Sequence, residues 1–302
     1  MNRFRIAAVV LFTFLSLTSC DRYLPGLLEP AASATPTEMP PPSPTPVPLA
    51  AQVNGEPISL ASFEREVERY EAAQLASGID LATLGAYRDQ VLSAMIELKL
   101  LAQGALTQGL SVEPAEIDQR YAGLVAEFTD ESAFNAWLEG QDFTEDELRA
   151  SLTEQVLGAR MVASIVGNVP QVVEQVHARH ILVASQAEAE EIRGMLASGS
   201  DFATLANQVS LDISTRPAGG DLGWFPQGYL WLPQVEQAAF SLQPGEISDV
   251  VESELGYHIV ETLERGDHRT DADVQRWLRE QAVQDWLAQQ RSASEIELYI
   301  TP

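Results

Sequence analysis

Hydrophobic positions recur at helical spacing through the first half of the chain and at strand spacing in much of the second. Val53-Asn54-Gly55-Glu56-Pro57-Ile58 reads as a short turn with Asn-Gly at its tip. Ser59 is placed to cap the helix that follows, where Leu60, Phe63, Val67 and Tyr70 share a face. A longer helix carries Leu84, Tyr87, Val91, Met95, Leu98, Ala102 and Ala105 on one stripe. Glu113-Pro114 opens another, with Pro at the first helical position and Ile117, Tyr121, Leu124 and Phe128 on its face. Thr144-Glu145-Asp146-Glu147 has the form of a capping box and leads into Leu148, Leu152, Val156 and Ala159. These stripes predict a helical domain over residues 51–170 and read as core, because no metal-ligand spacing, nucleotide loop or nucleophile motif falls among them.

The period then shortens. His177–Val183 reads as a strand, 187–197 and 201–208 as helices, Leu222–Phe225 as a short strand and Pro233–Phe240 as a helix. Ile247–Val251 and Gly256–Leu263 pair through a turn at Glu252-Ser253-Glu254. The expected fold is α+β: a helical domain followed by a small, mostly antiparallel four-stranded sheet flanked by helices. Residues 270–291 return to helical spacing, with Val274, Trp277, Leu278, Ala282 and Trp286 on one side. Two tryptophans on one amphipathic helix need a partner surface.

The candidate chemistry gathers around Gly219-Gly220. Paired glycines mark a backbone that turns tightly or approaches another group closely. His180 and His258 lie in apolar strand segments on either side, each with its imidazole directed inward. Taken singly, a strand histidine is more often a core residue holding a hydrogen bond than a catalytic one. His177 and Arg179 alternate with His180 and so face the other side of the strand, and His177 and His268 read as surface residues.

Three segments, Ala178-Arg179-His180-Ile181-Leu182-Val183, Gly219-Gly220-Asp221-Leu222-Gly223-Trp224 and Gly256-Tyr257-His258-Ile259-Val260, resemble the signature blocks of the parvulin family of peptidyl-prolyl isomerases, in order and at matching spacing. Ser210-Leu211-Asp212 and Ala238-Ala239-Phe240-Ser241-Leu242 fit the same family between them, and the likeness covers residues 175–266. The resemblance implies a site centred on His180, Asp212 and His258, with a proline pocket at Leu222, Leu230, Val235 and Phe240. It implies neither metal nor organic cofactor, and Asp212 at a position held by Cys or Asp in the family excludes a covalent cysteine mechanism. Leu230 stands where Met is common and Val235 where Phe usually closes the pocket; the second change does not conserve volume and points to a wider pocket. No Lys or Arg cluster follows Val183 to favour phosphorylated substrates. Val53-Asn54-Gly55 and Ser111-Val112-Glu113-Pro114-Ala115-Glu116-Ile117 are similar to the N-terminal domain of the SurA and PrsA type of extracytoplasmic chaperone. In that family a helix returning from beyond the isomerase module completes the N-terminal domain, which is the place residues 270–291 would take.

The remaining sequence bears on location. Arg3 and Arg5 precede an apolar stretch from Ile6 to Leu17, the form of an export signal over residues 1–19. Leu17-Thr18-Ser19-Cys20 resembles the lipobox of bacterial lipoproteins, in which the cysteine is lipidated; the alternative is a plain secretory signal. Cys20 is the single cysteine, so no intramolecular disulfide forms. Residues 20–50 are Pro-rich, with Pro40-Pro41-Pro42 at their centre, and read as an extended tether that neither helix nor sheet propagates through. With 18 basic against 44 acidic residues the net charge is −26, which sets the chain against nucleic-acid phosphates. Two classes of function follow. The first is a lipid-anchored, extracytoplasmic prolyl isomerase and chaperone acting on unfolded exported chains with Xaa-Pro bonds. The second is a non-catalytic holdase with a degenerate isomerase module.

Overall fold

The structure is a computed structural model that describes residues 47–141 and 143–300. The export segment, Cys20 and most of the Pro-rich tether lie outside the described residues.

Asn54 and Gly55 both take positive φ, 50° and 84°, as a two-residue hairpin turn requires. The turn joins β1 (Leu49–Val53) to β2 (Glu56–Ser59). The Ser59 hydroxyl accepts the Ser62 N–H and caps α1 (Leu60–Ala76). The next helix, α2 (Tyr87–Thr107), buries residues on two sides rather than the single expected stripe. Val91, Leu92, Ile96 and Leu100 pack with Phe63 and Val67 of α1 and with β1, while Ala102 and Ala105 pack elsewhere, against Leu157, Met161 and Trp286. A helix between two layers has no polar face, so periodicity alone assigns its core side poorly.

Pro114 begins α3 (Pro114–Val125), and Asp130 caps α4 (Glu131–Gly140), a helix not expected from the sequence. Phe134 of α4 is fully buried among Tyr121, Phe128 and Trp137, with ring centroids 5.3–5.8 Å apart. The Thr144/Glu147 capping box opens α5 (Glu145–Gly167). Its deep residues are Leu148, Val156, Leu157, Gly158 and Met161; Ala159, expected inside, is exposed. The inward face is rotated because a Cβ on Gly158 would stand 2.7 Å from Leu98, so α2 and α5 approach at the glycine.

The second half builds on β3 (Val172–Val183), followed by α6 (Gln186–Ala197), α7 (Phe202–Val209), β4 (Asp221–Phe225), α8 (Pro233–Ser241), β5 (Val251–Ser253) and β6 (Gly256–Arg269). The antiparallel sheet has the order β4-β3-β6-β5. Ile181, Val183 and Ile259 pack under α6 and α7, whereas Val176, Ala178 and Val260 pack with Phe225 and with Val235 and Ala239 of α8. The last hairpin differs from expectation: Ile247 makes only an isolated bridge to Glu261, the ladder lies at Val251–Ser253, and the turn falls at Glu254-Leu255. Gly256 fixes this placement, since at φ 133° a Cβ there would stand 2.5 Å from the Val183 carbonyl oxygen.

β3 and β6 run on beyond the sheet as a two-stranded ribbon, from Gln175↔Gly266 to Val172↔Arg269. The ribbon leads into α9 (Ala272–Ala293), which packs on α5 and α2. Its Trp286 ring occupies the space that a Cβ on Gly104 would need, 2.5 Å away, and Arg291 bonds Ser93 and Glu97 of α2. Val274 and Leu287 are its buried residues, with Trp277, Leu278, Ala282 and Trp286 half-buried. The chain ends in β7 (Ile296–Leu298), which pairs with β1 to complete a sheet of order β2-β1-β7 that the sequence reading did not contain.

Candidate active site

The double glycine makes the site possible. Gly219 and Gly220 take φ of 72° and 83°, and a Cβ on Gly220 would lie 2.1 Å from the His180 carbonyl oxygen. Only glycine lets this turn reach β3, where the His180 N–H donates to the Gly220 carbonyl at 2.9 Å. Ser210, wholly buried, accepts the N–H groups of Leu182 and Asp212 on its hydroxyl, at 3.2 and 3.3 Å. The segment after α7 is thereby tied to the same strand, and Asp212 is brought to the imidazole.

His180 and His258 are 3% and 0% exposed, on the sheet face that also carries Ala178 and Val260. Their rings stack 14° from parallel, with Nδ1 facing Nδ1 at 3.2 Å. His180 Nε2 lies 2.8 Å from Asp212 Oδ2, and His258 Nε2 lies 2.7 Å from the Ser253 hydroxyl. A carboxylate only accepts, so it fixes the His180 proton at Nε2. When His180 is neutral, its Nδ1 accepts from His258 Nδ1–H, and His258 Nε2 accepts from the Ser253 O–H. The four groups thus form one directional chain, Ser253 to His258 to His180 to Asp212.

Burial alone would raise the Asp212 carboxyl, but hydrogen bonds from the Ser214 and Thr215 hydroxyls, His180 and the Ser214 N–H outweigh it. They hold the group far below the usual carboxylate range. Burial, together with the neighbouring His180, pushes His258 down to about 4 against an ordinary 6.5, with Asp212 opposing. The site therefore holds a neutral imidazole and a fixed negative charge across the physiological range.

Beside this polar chain lies an apolar floor. Leu222, Leu230 and Phe240 are half-buried around Ala178, Phe225, Leu232, Ala239 and Val260. Val235 belongs to the same cluster but is only 1% exposed, so it supports the floor from beneath instead of opening a wall. The sequence reading missed Ser214, Thr215 and Ser253. The first two were legible as an Asp-x-Ser-Thr turn signature; Ser253 was assigned to the turn itself. His177 and His268, expected at the surface, are half-buried on either side of Trp224, with centroids 5.5 and 4.2 Å away. Arg179 lies over Phe202 and pairs with Glu261, facing α7. Among the described residues no group of three or more His, Cys, Asp or Glu could hold a metal.

The depressed His258 value has a stability consequence. Folding favours the neutral ring, so the contribution is complete above pH 6.5 and is lost as pH falls to about 4. Two-dimensional NMR of the imidazoles should show His258 titrating near pH 4. Urea unfolding should lose about 2–3 kcal/mol between those limits, with a smaller loss in His258→Gln. A His258 midpoint at 6 or above would contradict the burial argument.

Comparison with known proteins assigns both halves of the chain. Residues 180–264 match the family described as PPIC-type PPIASE domain, and residues 35–162 match the SurA-like N-terminal domain. The foldase protein PrsA of Caldanaerobacter subterraneus subsp. tengcongensis is 34% identical over 231 residues, covering 71% of this chain and 72% of that protein. The chaperone SurA of Dechloromonas aromatica is 37% identical over 170 residues, which is 50% of this chain and 38% of that one. A solved peptidylprolyl isomerase (PrsA) from Bacillus anthracis aligns with 67% of this chain and 96% of its own, at 25% identity and a TM-score of 0.38. The chain belongs to the PrsA family of foldases, and the module built on β3 and β6 is a parvulin-type peptidyl-prolyl cis/trans isomerase domain.

Proposed function

We propose that this foldase catalyses prolyl isomerisation with His180, Asp212 and His258 and without a covalent intermediate. The supporting observation is the hydrogen-bonded chain from Ser253 to Asp212, lying on the same sheet face as the apolar floor. Rotation about a peptide bond is opposed by roughly 18–20 kcal/mol because amide resonance must be broken. A catalyst lowers this barrier by binding the twisted amide better than the planar one. Leu222, Leu230 and Phe240 grip the proline ring and exclude water. The Asp212 carboxylate, fixed beside the substrate carbonyl, opposes the resonance form that places charge on oxygen, and so favours the twisted state. Ser214, Thr215 and His180 hold that carboxylate in place and in its ionised form.

The clients are unfolded or partly folded polypeptides with Xaa-Pro bonds, held by the helical domain while the module acts. We place the protein on the extracytoplasmic side of a membrane, anchored by a lipid on Cys20 and set off from the surface by the Pro-rich tether. Among the described residues no helix is long and apolar enough to cross a membrane.

Asp212→Ala and His258→Ala should each lower turnover on a proline peptide about tenfold or more, equivalent to about 1.4 kcal/mol of transition-state stabilisation. His180→Gln tests the third member with less disturbance to the strand. Folded variants with full turnover would remove the catalytic assignment of these residues, whereas a wild type that binds proline peptides without turning them over would leave the holdase reading, in which the module only binds. The anchor is tested by fractionation: the protein should sediment with membranes and Cys20→Ser should release it. Membrane association that persists in Cys20→Ser would overturn lipidation.

A further inference from the structure

The segment Pro226–Leu232 carries Leu230 into the apolar floor, and two other elements hold it. From one side Glu236, in the first turn of α8 and 8% exposed, accepts the Gly228 N–H on Oε1 at 2.6 Å and the Leu230 N–H on Oε2 at 2.9 Å. From the other side comes Trp277 of α9. Its ring meets Tyr229 edge-on, with centroids 5.4 Å apart at 88°, and a Cβ on Gly228 would stand 3.4 Å from it. Gly228 also has φ of 86°, so this turn both needs glycine and presents bare backbone to the tryptophan.

The origin of α9 gives the contact its meaning. Although it follows the isomerase module in sequence, α9 packs with the helical domain, where Trp286 joins Ala102, Ala105, Leu157 and Met161. Trp277 thus reaches from the helical domain onto the loop of the proline pocket. Held between a carboxylate and an aromatic edge, the loop has little freedom of its own. We infer that Trp277 is a positioning residue for isomerisation: docked on Gly228 and Tyr229, it sets the position of Leu230 and hence the affinity of the pocket for proline. The helical domain is then part of the enzyme's specificity apparatus through this one side chain. This inference rests on the proline-pocket reading above.

The test uses the full chain with Trp277→Ala, Trp277→Phe and, as a control on the same helix, Trp286→Ala. Affinity for a proline peptide is measured by calorimetry, turnover is measured separately, and amide hydrogen exchange is followed over residues 227–231. Trp277→Ala should weaken peptide binding and raise KM about fivefold with kcat within twofold of wild type, and should speed exchange in the loop about tenfold. Trp277→Phe, which keeps a ring against Tyr229, should restore most of the affinity, and Trp286→Ala should leave the loop and KM near wild type. Unchanged affinity and exchange in Trp277→Ala would overturn the inference, as would an equal loss in Trp286→Ala, which would indicate general loosening of α9. If the wild type binds the peptide without turning it over, the catalytic reading fails, while affinity and exchange still decide the role of Trp277. Should Trp277→Ala fail to fold, Trp277→Leu carries the same readouts, and wild-type affinity in that folded variant would contradict an aromatic positioning role.

Discussion

In the ladder between β3 and β6, His180 pairs with Val260 and Leu182 with His258, and the rest of the molecule depends on that register. It sets the two imidazoles on one face as near neighbours, with Ala178 and Val260 continuing the same face as apolar floor. A slip of one residue in this ladder would put the two histidines on opposite faces of the sheet, one of them on the side packed under α6 and α7. The same two strands, prolonged as a ribbon, deliver the chain from α5 into the module and back out to α9. One ladder therefore organises both the face that carries the histidines and the connection to the helical domain.

Burying two imidazoles costs little here because each ring nitrogen has a partner. Leaving one unsatisfied would cost roughly 1–3 kcal/mol. Ser253 and Asp212 close the two ends of the chain, and Ser214 and Thr215 saturate the carboxylate. Such a network is rigid, and rigidity is what electrostatic stabilisation of a twisting amide requires, because dipoles that must reorient lose most of their effect. The loop bearing Leu230 is held in a comparable way by Glu236 and Trp277.

Much of this was legible in the sequence where one residue type answers one local demand. Ser59 and Thr144 cap helices, Pro114 opens one, and Gly219-Gly220 marks the close approach to His180. His180, Asp212 and His258, which the family resemblance singled out, lie within hydrogen-bonding distance of one another in the order His258, His180, Asp212. What escaped were features decided by partners distant in the chain. β7 has three residues and exists because β1 offers it an edge. α4 is a short aromatic helix whose burial depends on α3 and α5. α2 lies between two layers, so its apolar pattern had no single face to reveal. Val235 looked like an opened wall only as long as its depth was unknown; at 1% exposure it is structural support.

The central claim is that this polar chain beside an apolar floor accelerates rotation about Xaa-Pro bonds. Uncatalysed exchange takes tens to hundreds of seconds at 25 °C, too slow to produce exchange cross-peaks in a two-dimensional NMR spectrum of a proline peptide. With wild-type protein at a small fraction of the peptide concentration, cross-peaks linking the cis and trans forms are expected. Spectra to which the protein adds none, whether the residue before proline is apolar, polar or acidic, would contradict the claim.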